Sequence, residues 1–307
     1  MSINTDSIAF HRGEYRPLKD SNISIATHAF QYGTMVFGGI RGYYSAEKSN
    51  IFIFRLEDHL RRIMKSAHIM QMKPPYGVEA MREIAIELVR KNEYRQNVYL
   101  RPFVYKSPLQ LSPRLHDVRD DFSMYTLPLD DYIDTESGLK TGVASWRRID
   151  DNIIPTRAKV AGGYANSALA KSEAVMNGFD EAIFLDTRGF VSEGSAENIF
   201  MVRDGKLITP SVASSVLEGI TRRSILEIAA NLNLPTVERD IARAELYIAD
   251  ELFFTGTGAQ VAWVAEVDRR TIGDGKMGPL TQRIRNAFLN IVRGEDQTYA
   301  SWLTQVY

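Results

Sequence analysis

Five short runs of β-branched and aromatic residues constrain this chain most: IFIFR (51–55), VYLRPFVY (98–105), EAIFLD (181–186), ENIFMV (197–202) and ELFFT (251–255). Each has the length and composition of a strand. Helical spacing separates them. Leu56, Leu60, Ile63, Met64, Ala67 and Met70 share one face, as do Met81, Ile84 and Leu88 within 78–89. Further helices are expected over 166–177, 221–233 and 280–292. Asp204-Gly205 reads as a hairpin turn. The order lacks a regular βαβα alternation, so the expected class is α+β rather than a doubly wound sheet. The polar stretch 129–138 is the best linker, leaving a smaller α/β domain at 1–128 and a larger one at 139–307.

Charge and cysteine content narrow the chemistry. With 307 residues, 37 Lys+Arg and 38 Asp+Glu, the formal charge is -1, so no global field favours nucleic acid or an acidic membrane. The chain has no Cys, which removes disulfides, thiolate nucleophiles and Cys-type metal sites. No metal site is expected. The start, MSINTDSIAFHRGEYR, lacks the pattern of a signal peptide, and no apolar run has spanning length. A cytoplasmic protein is the expectation.

Four segments, all C-terminal to the linker, can carry chemistry. In 154–167, Lys159 follows an extended Pro155-Thr156 run and precedes Gly162-Gly163 and a helix. Small neighbours let another molecule approach, and a Lys of depressed pKa forms Schiff bases. The same pattern also suits an exposed Lys beside an ordinary loop. In 186–200, Glu193 stands in Ser192-Glu193-Gly194-Ser195. It is either a carboxylate framed for a ligand atom, such as a pyridine nitrogen, or a surface Glu on a solvated hairpin. Gly219-Ile220-Thr221 opens a helix, offering amides and a dipole to a phosphate, or simply an N-cap. Thr255-Gly256-Thr257-Gly258-Ala259 adds a small-residue turn after a strand. One Schiff-base Lys, one carboxylate and two amide-rich anion sites are together the set that pyridoxal phosphate requires.

These residues resemble a family. Lys159…Tyr164-Ala165-Asn166, Ser192 to Asn198 and Leu217-Glu218-Gly219-Ile220-Thr221-Arg222 are similar to the class IV pyridoxal-phosphate enzymes, of D-amino-acid aminotransferase fold (fold type IV). In the N-terminal part, Gln31 to Arg41, Phe54 to Arg62 and Val98-Tyr99-Leu100-Arg101-Pro102 resemble bacterial and archaeal branched-chain aminotransferases. The likeness runs over nearly the whole chain.

The resemblance implies roles residue by residue. Lys159 would bind the pyridoxal 5'-phosphate aldehyde and shuttle a proton. Glu193 would pair with the pyridinium nitrogen, and Tyr164 would bond the phenolic oxygen. Arg62, the amides of Ile220 and Thr221, and the Thr257 hydroxyl would hold the phosphate, with Leu217 on the ring face. The substrate set would comprise Tyr32 (from a neighbouring subunit), Phe37, Gly39, Arg41, Tyr99, Arg101, Arg114, Tyr132, Thr257, Gly258 and Ala259. Arg101 and Tyr32 would receive a γ-carboxylate. Phe37, Tyr132 and Tyr164 would line an apolar side-chain pocket.

Three positions depart from the family pattern: Gly38 and Leu129 replace the usual Glu and Trp, and 107–117 is similar instead to a loop of (R)-selective amine transaminases. Arg114 in that loop would swing to meet a carboxylate, or is a solvated Arg. The expected activity is transfer of the amino group of Leu, Ile or Val to 2-oxoglutarate in a homodimer or larger homo-oligomer, with a side activity on (R)-primary amines as an extension. The alternatives are a D-amino-acid or (R)-amine transaminase of the same fold, and a non-catalytic cofactor binder.

Overall fold

The structure, a computed structural model, describes residues 3–129 and 137–307. Its chain divides into two compact units, 1–130 with 158–162 and 290–307, and 131–157 with 163–289.

The first unit is built on an antiparallel sheet. Its elements are β1 (Ile8–His11), β2 (Glu14–Pro17), α1 (His28–Tyr32), β3 (Met35–Phe37), β4 (Ile40–Ser45), β5 (Asn50–Phe54), α2 (Leu56–Ile69), α3 (Val78–Lys91), β6 (Val98–Lys106) and β7 (Asp120–Pro128). The α2 positions Leu56, Leu60, Ile63 and Ala67 are buried, as their spacing predicts. In β6 the even residues 98, 100, 102 and 104 are buried, while Tyr99, Arg101 and Phe103 are half-buried on the other face. β6 pairs with β3 through residues 103–105 and with β4 through 98–100. Pro102, which has no N–H to give, falls at the break between them, and its carbonyl accepts from the Gly38 N–H at 2.8 Å.

The second unit holds β8 (Leu139–Arg147), α4 (Tyr164–Met176), β9 (Glu181–Leu185), β10 (Val191–Gly194), β11 (Asn198–Arg203), β12 (Lys206–Thr209), α5 (Ile220–Asn231), β13 (Thr236–Glu238), α6 (Arg243–Leu246), β14 (Glu251–Gly256), β15 (Gln260–Val267) and β16 (Arg270–Thr271). Its sheet is mixed: β8 runs parallel to β9 and β15, β12 runs parallel to β13, and β11, β14 and β15 pair antiparallel in sequence. Asp204 and Gly205 both take positive φ, 50° and 69°, and close the two-residue β11–β12 hairpin. Phe200 and Phe253 stack across β11 and β14 at 5.2 Å. A cluster of Ile183, Ile199, Met201, Leu252, Phe254 and Val264 fills one face.

Mixed strands and helices without βαβα order make an α+β fold. The division differs from the expected 1–128 and 139–307 in two places. The last elements, the end of α7 (Pro279–Val292) and β17 (Leu303–Gln305), return to the first unit, because β17 pairs antiparallel with β5. The Lys159 segment returns as well, because Val160 bridges Val36. Pairing partners far apart in sequence leave no local mark, so a linear boundary could not include them.

Candidate active site

In the first unit, Lys159 is placed by its main chain. Its carbonyl accepts from the Phe37 N–H at 3.1 Å, and its N–H donates to the Ser66 hydroxyl at 3.3 Å. Ala158 and Val160 on either side are buried. Gly162 donates to the Gly33 carbonyl at 3.1 Å. A Cβ on Gly33, whose φ is 65°, would sit 2.7 Å from the Gly162 Cα, so this approach requires glycine. The Lys159 ammonium lies 5.2 Å from the Phe37 ring centroid.

From Phe37 the contacts continue along the sheet. The Arg101 guanidinium lies 4.6 Å from the Phe37 ring and 5.1 Å from the Tyr99 ring. Tyr99 pairs with Arg41 across β6 and β4, and its hydroxyl is packed on Gly39, where a Cβ would come within 2.4 Å. Arg41 is 2% exposed. Thus Lys159, Phe37, Gly39, Arg41, Tyr99 and Arg101 form one connected group. Arg62 is half-buried on α2.

Two predicted residues in this unit stand apart from that group. Tyr32 is exposed at the end of α1, packed edge-on against His28 at 4.8 Å. Arg114 is exposed. Its loop is tied to α1 by the His28 N–H donating to the Pro108 carbonyl at 2.9 Å and by a 2.7 Å contact from His28 Nε2 to the Ser112 carbonyl. His28 Nδ1 meets the Thr34 hydroxyl at 2.8 Å. A cavity of about 330 Å³, lined by Phe10, Phe30, Met35, Phe103 and Tyr125 among others, contains none of the candidate residues. Tyr132 lies outside the described residues.

In the second unit, Glu193 is 5% exposed on β10. Its Oε2 accepts from Asn198 Nδ2 and from the Leu217 N–H, each at 3.0 Å. Arg148 Nε approaches Oε1 at 2.9 Å. Asn198 Nδ2 also donates to the Leu217 carbonyl at 2.9 Å, so one amide fixes both the carboxylate and the segment leading to α5. Gly219 is required there, since a Cβ would meet Asn198 Oδ1 at 2.1 Å. As the N-cap of α5, Gly219 has no side chain to satisfy the first-turn amides of Ile220 and Thr221, which leaves that turn suited to an anion. Ile220 and Thr221 are buried, and Leu217 is half-buried.

Thr257, Gly258 and Ala259 form the turn between β14 and β15, closed by the Gly256–Gln260 pair. The pairing of Thr255 with Asn198 puts this turn beside the start of β11. Tyr164 is the first residue of α4 and half-buried. Sequence reasoning missed Arg148, Ser66 and the role of Asn198. Nothing at Arg147-Arg148 distinguishes one Arg from the other; the signal at Asn198 was its place five residues after a carboxylate, before a strand. Among the described residues, no helix is long and apolar enough to cross a membrane.

Residues 36–267 match the family described as amino-transferase class IV. A relative from Aquifex aeolicus, named "Probable branched-chain-amino-acid aminotransferase", is 46% identical over 300 residues, 97% of this chain and 96% of that protein. A solved branched-chain aminotransferase from Thermoproteus uzoniensis, with norvaline, is 38% identical and superposes with a TM-score of 0.94 over 98% of this chain and 99% of that one. The branched-chain amino acid aminotransferase from Thermobaculum terrenum, solved in its PLP-form (holo-form), is 36% identical, with a TM-score of 0.94 over 99% of each chain.

Proposed function

The chain belongs to the class IV aminotransferases, and within them we propose that it is a pyridoxal-phosphate enzyme that transfers the amino group of L-leucine, L-isoleucine or L-valine to 2-oxoglutarate. The carrying observation is that likeness to branched-chain aminotransferases extends over 97% of the chain, so both units are accounted for together.

The residues present fit the cofactor: an amine for an aldehyde, uncapped helix amides for a phosphate, and a buried carboxylate fixed by two donors on one oxygen for a ring nitrogen. Bound pyridoxal phosphate supplies that aldehyde and an electron-accepting ring. Lys159 Nζ would hold the cofactor at its aldehyde and would serve as the base that carries the proton removed from the substrate α-carbon. Glu193 holds a proton on the ring nitrogen, Tyr164 donates to the phenolic oxygen, and Leu217 packs on the ring. Arg62, the amides of Ile220 and Thr221 and the Thr257 hydroxyl hold the phosphate.

The substrate α-carboxylate goes to Tyr99 and to the Thr257, Gly258 and Ala259 turn. Phe37, Tyr164 and Tyr132 receive a branched side chain, whose transfer from water is worth about 0.8 kcal/mol per buried CH₂. Gly39 and Arg41 complete the substrate set beside Tyr99. Arg101, with Tyr32 of a neighbouring subunit, receives the γ-carboxylate of glutamate. We further propose a cytoplasmic homodimer or larger homo-oligomer. Supporting self-association, Ile25, Phe30, Leu109 and Leu111 expose 79%, 66%, 63% and 81% of their surface near α1.

The test is an absorbance spectrum of the reconstituted protein, followed by parallel assays with L-leucine, D-alanine and an (R)-arylalkylamine. A yellow band that bleaches with L-leucine and with L-glutamate, together with ping-pong kinetics, is the expected result. Turnover of D-alanine or the amine without L-leucine turnover overturns the substrate assignment. A band unmoved by any amine marks a non-catalytic binder.

A further inference from the structure

We propose that Arg148 is a positioning residue that keeps the Glu193 carboxylate anionic, and thereby keeps the proton on the cofactor's ring nitrogen; this rests on the role assigned to Glu193 above. Arg148 follows directly after β8. Its N–H donates to the Leu185 carbonyl at 2.8 Å, which fixes its backbone against the end of β9. Its side chain is 11% exposed and that of Glu193 is 7% exposed. The guanidinium carbon stands 5.6 Å from the Phe184 ring centroid.

The Nε–Oε1 separation is 2.9 Å, yet the Nε–H is not aligned for a hydrogen bond. The contact is therefore an electrostatic pairing more than a directional bond. Directional holding comes from the two neutral donors on Oε2, Asn198 Nδ2 and the Leu217 N–H. Glu193 thus receives two neutral donors on Oε2 and a guanidinium charge beside Oε1.

That division has a chemical consequence. Burial alone raises the proton affinity of a carboxylate, and an adjacent cation lowers it. A proton shared between Glu193 and a ring nitrogen can sit on either. Both arrangements carry the same total charge, so the position of the cation decides between them. Arg148 lies against the carboxylate and favours the arrangement in which Glu193 is the anion and the ring nitrogen carries the proton. An Arg is suited to this because it does not deprotonate at any working pH.

The experiment uses holoenzyme reconstituted with pyridoxal phosphate labelled with ¹⁵N in the ring, read by solid-state NMR. In R148Q the ring-nitrogen signal should move toward the unprotonated position, with the half-reaction rate on L-leucine falling about tenfold, the equivalent of one pK unit. R148K keeps a cation and should retain the protonated signal near neutral pH. An R148Q spectrum that overlays the wild type overturns the proposal. So does an equal shift in R148K and R148Q, since charge would then not be the cause.

Should R148Q fail to fold, R148K alone decides. Its ring nitrogen should lose the proton as alkaline pH discharges the Lys, while wild type holds it; superimposable responses reject the idea. Wild-type protein that binds no cofactor, or whose ring nitrogen is unprotonated throughout, refutes the role given to Glu193 itself, and that outcome is distinct from a failure confined to Arg148.

Discussion

Around Lys159 the main chain does the holding: a carbonyl taken by Phe37, an N–H given to Ser66, and a glycine pair in van der Waals contact. Around Glu193 the side chain itself is held, with one oxygen receiving two donors and the other facing a guanidinium. The difference suits the role proposed for each group. A lysine that binds an aldehyde and then carries a proton needs a fixed origin and a four-carbon stem that can reach more than one atom. A carboxylate that supplies a constant charge works best when preorganised, so that nothing rearranges as the reaction proceeds.

The sharpest way to break this contrast is Lys159→Ala. It removes the amine proposed to react and leaves the main-chain hydrogen bonds in place, so transamination should fall on the order of 10⁴-fold while the thermal midpoint barely moves. Turnover at the wild-type rate would show that Lys159 is not the reacting group. Next is Gly219→Ala. The added Cβ would collide with Asn198 Oδ1, disturbing Glu193 and the start of α5 together. Overpacking of this kind costs about 1–3 kcal/mol. Urea unfolding should report the loss, with weaker cofactor binding measured by titration.

Ser66→Ala tests the other region. Ser66 is 1% exposed and its hydroxyl oxygen accepts from the Lys159 N–H, so its loss should cost about 1 kcal/mol in stability. A slower reaction at Lys159 with cofactor affinity unchanged would confirm that the main chain sets the origin of that side chain. An affinity loss as large as that of Gly219→Ala would erase the contrast.

The smallest effect separates the two units by pH. In the first unit, burial and then the Arg12 and Arg16 charges hold His11 below its ordinary 6.5. The unfolded chain therefore takes up that proton first, and stability present above about 6.5 is lost as pH falls through the lower folded value. In the second unit, the Arg239 hydrogen bond holds Glu245 below 4.5. Burial pushes Asp268 up, but donors from Tyr247, the Val143 N–H and Arg243 outweigh it and hold it below 3.8. Their contribution is present above those ordinary values and is lost only as pH falls past them. Amide exchange should quicken around β1 on acidification below 6.5, while the α6 region keeps its protection until below about 4. Simultaneous loss in both regions at one pH would contradict these assignments.

Much of the fold was legible because its signals are local. The apolar spacing of α2 and the alternation along β6 each record, within a few residues, which face is buried. Asp204-Gly205 specified its hairpin because two consecutive positive φ values favour those residue types. The resemblance supplied Lys159 and Glu193, but not what holds them. Ser66 lies 93 residues from Lys159, and Arg148 lies 45 positions before Glu193. Neither carries a pattern that distinguishes it from an ordinary Ser on a helix or an ordinary Arg after a strand.

By itself, then, the sequence determined the longer helices, several core strands, the α+β class and the candidate reactive residue types, because hydrophobic period, turn chemistry and functional-group identity are written in neighbouring positions. Tertiary structure alone decided that the Lys159 segment and the C-terminal strand belong with the first unit, that a glycine must face Asn198, and which of two adjacent arginines meets Glu193. Those are contacts between distant parts of the chain, fixed by β pairing and by close packing, and no local rule of spacing encodes them.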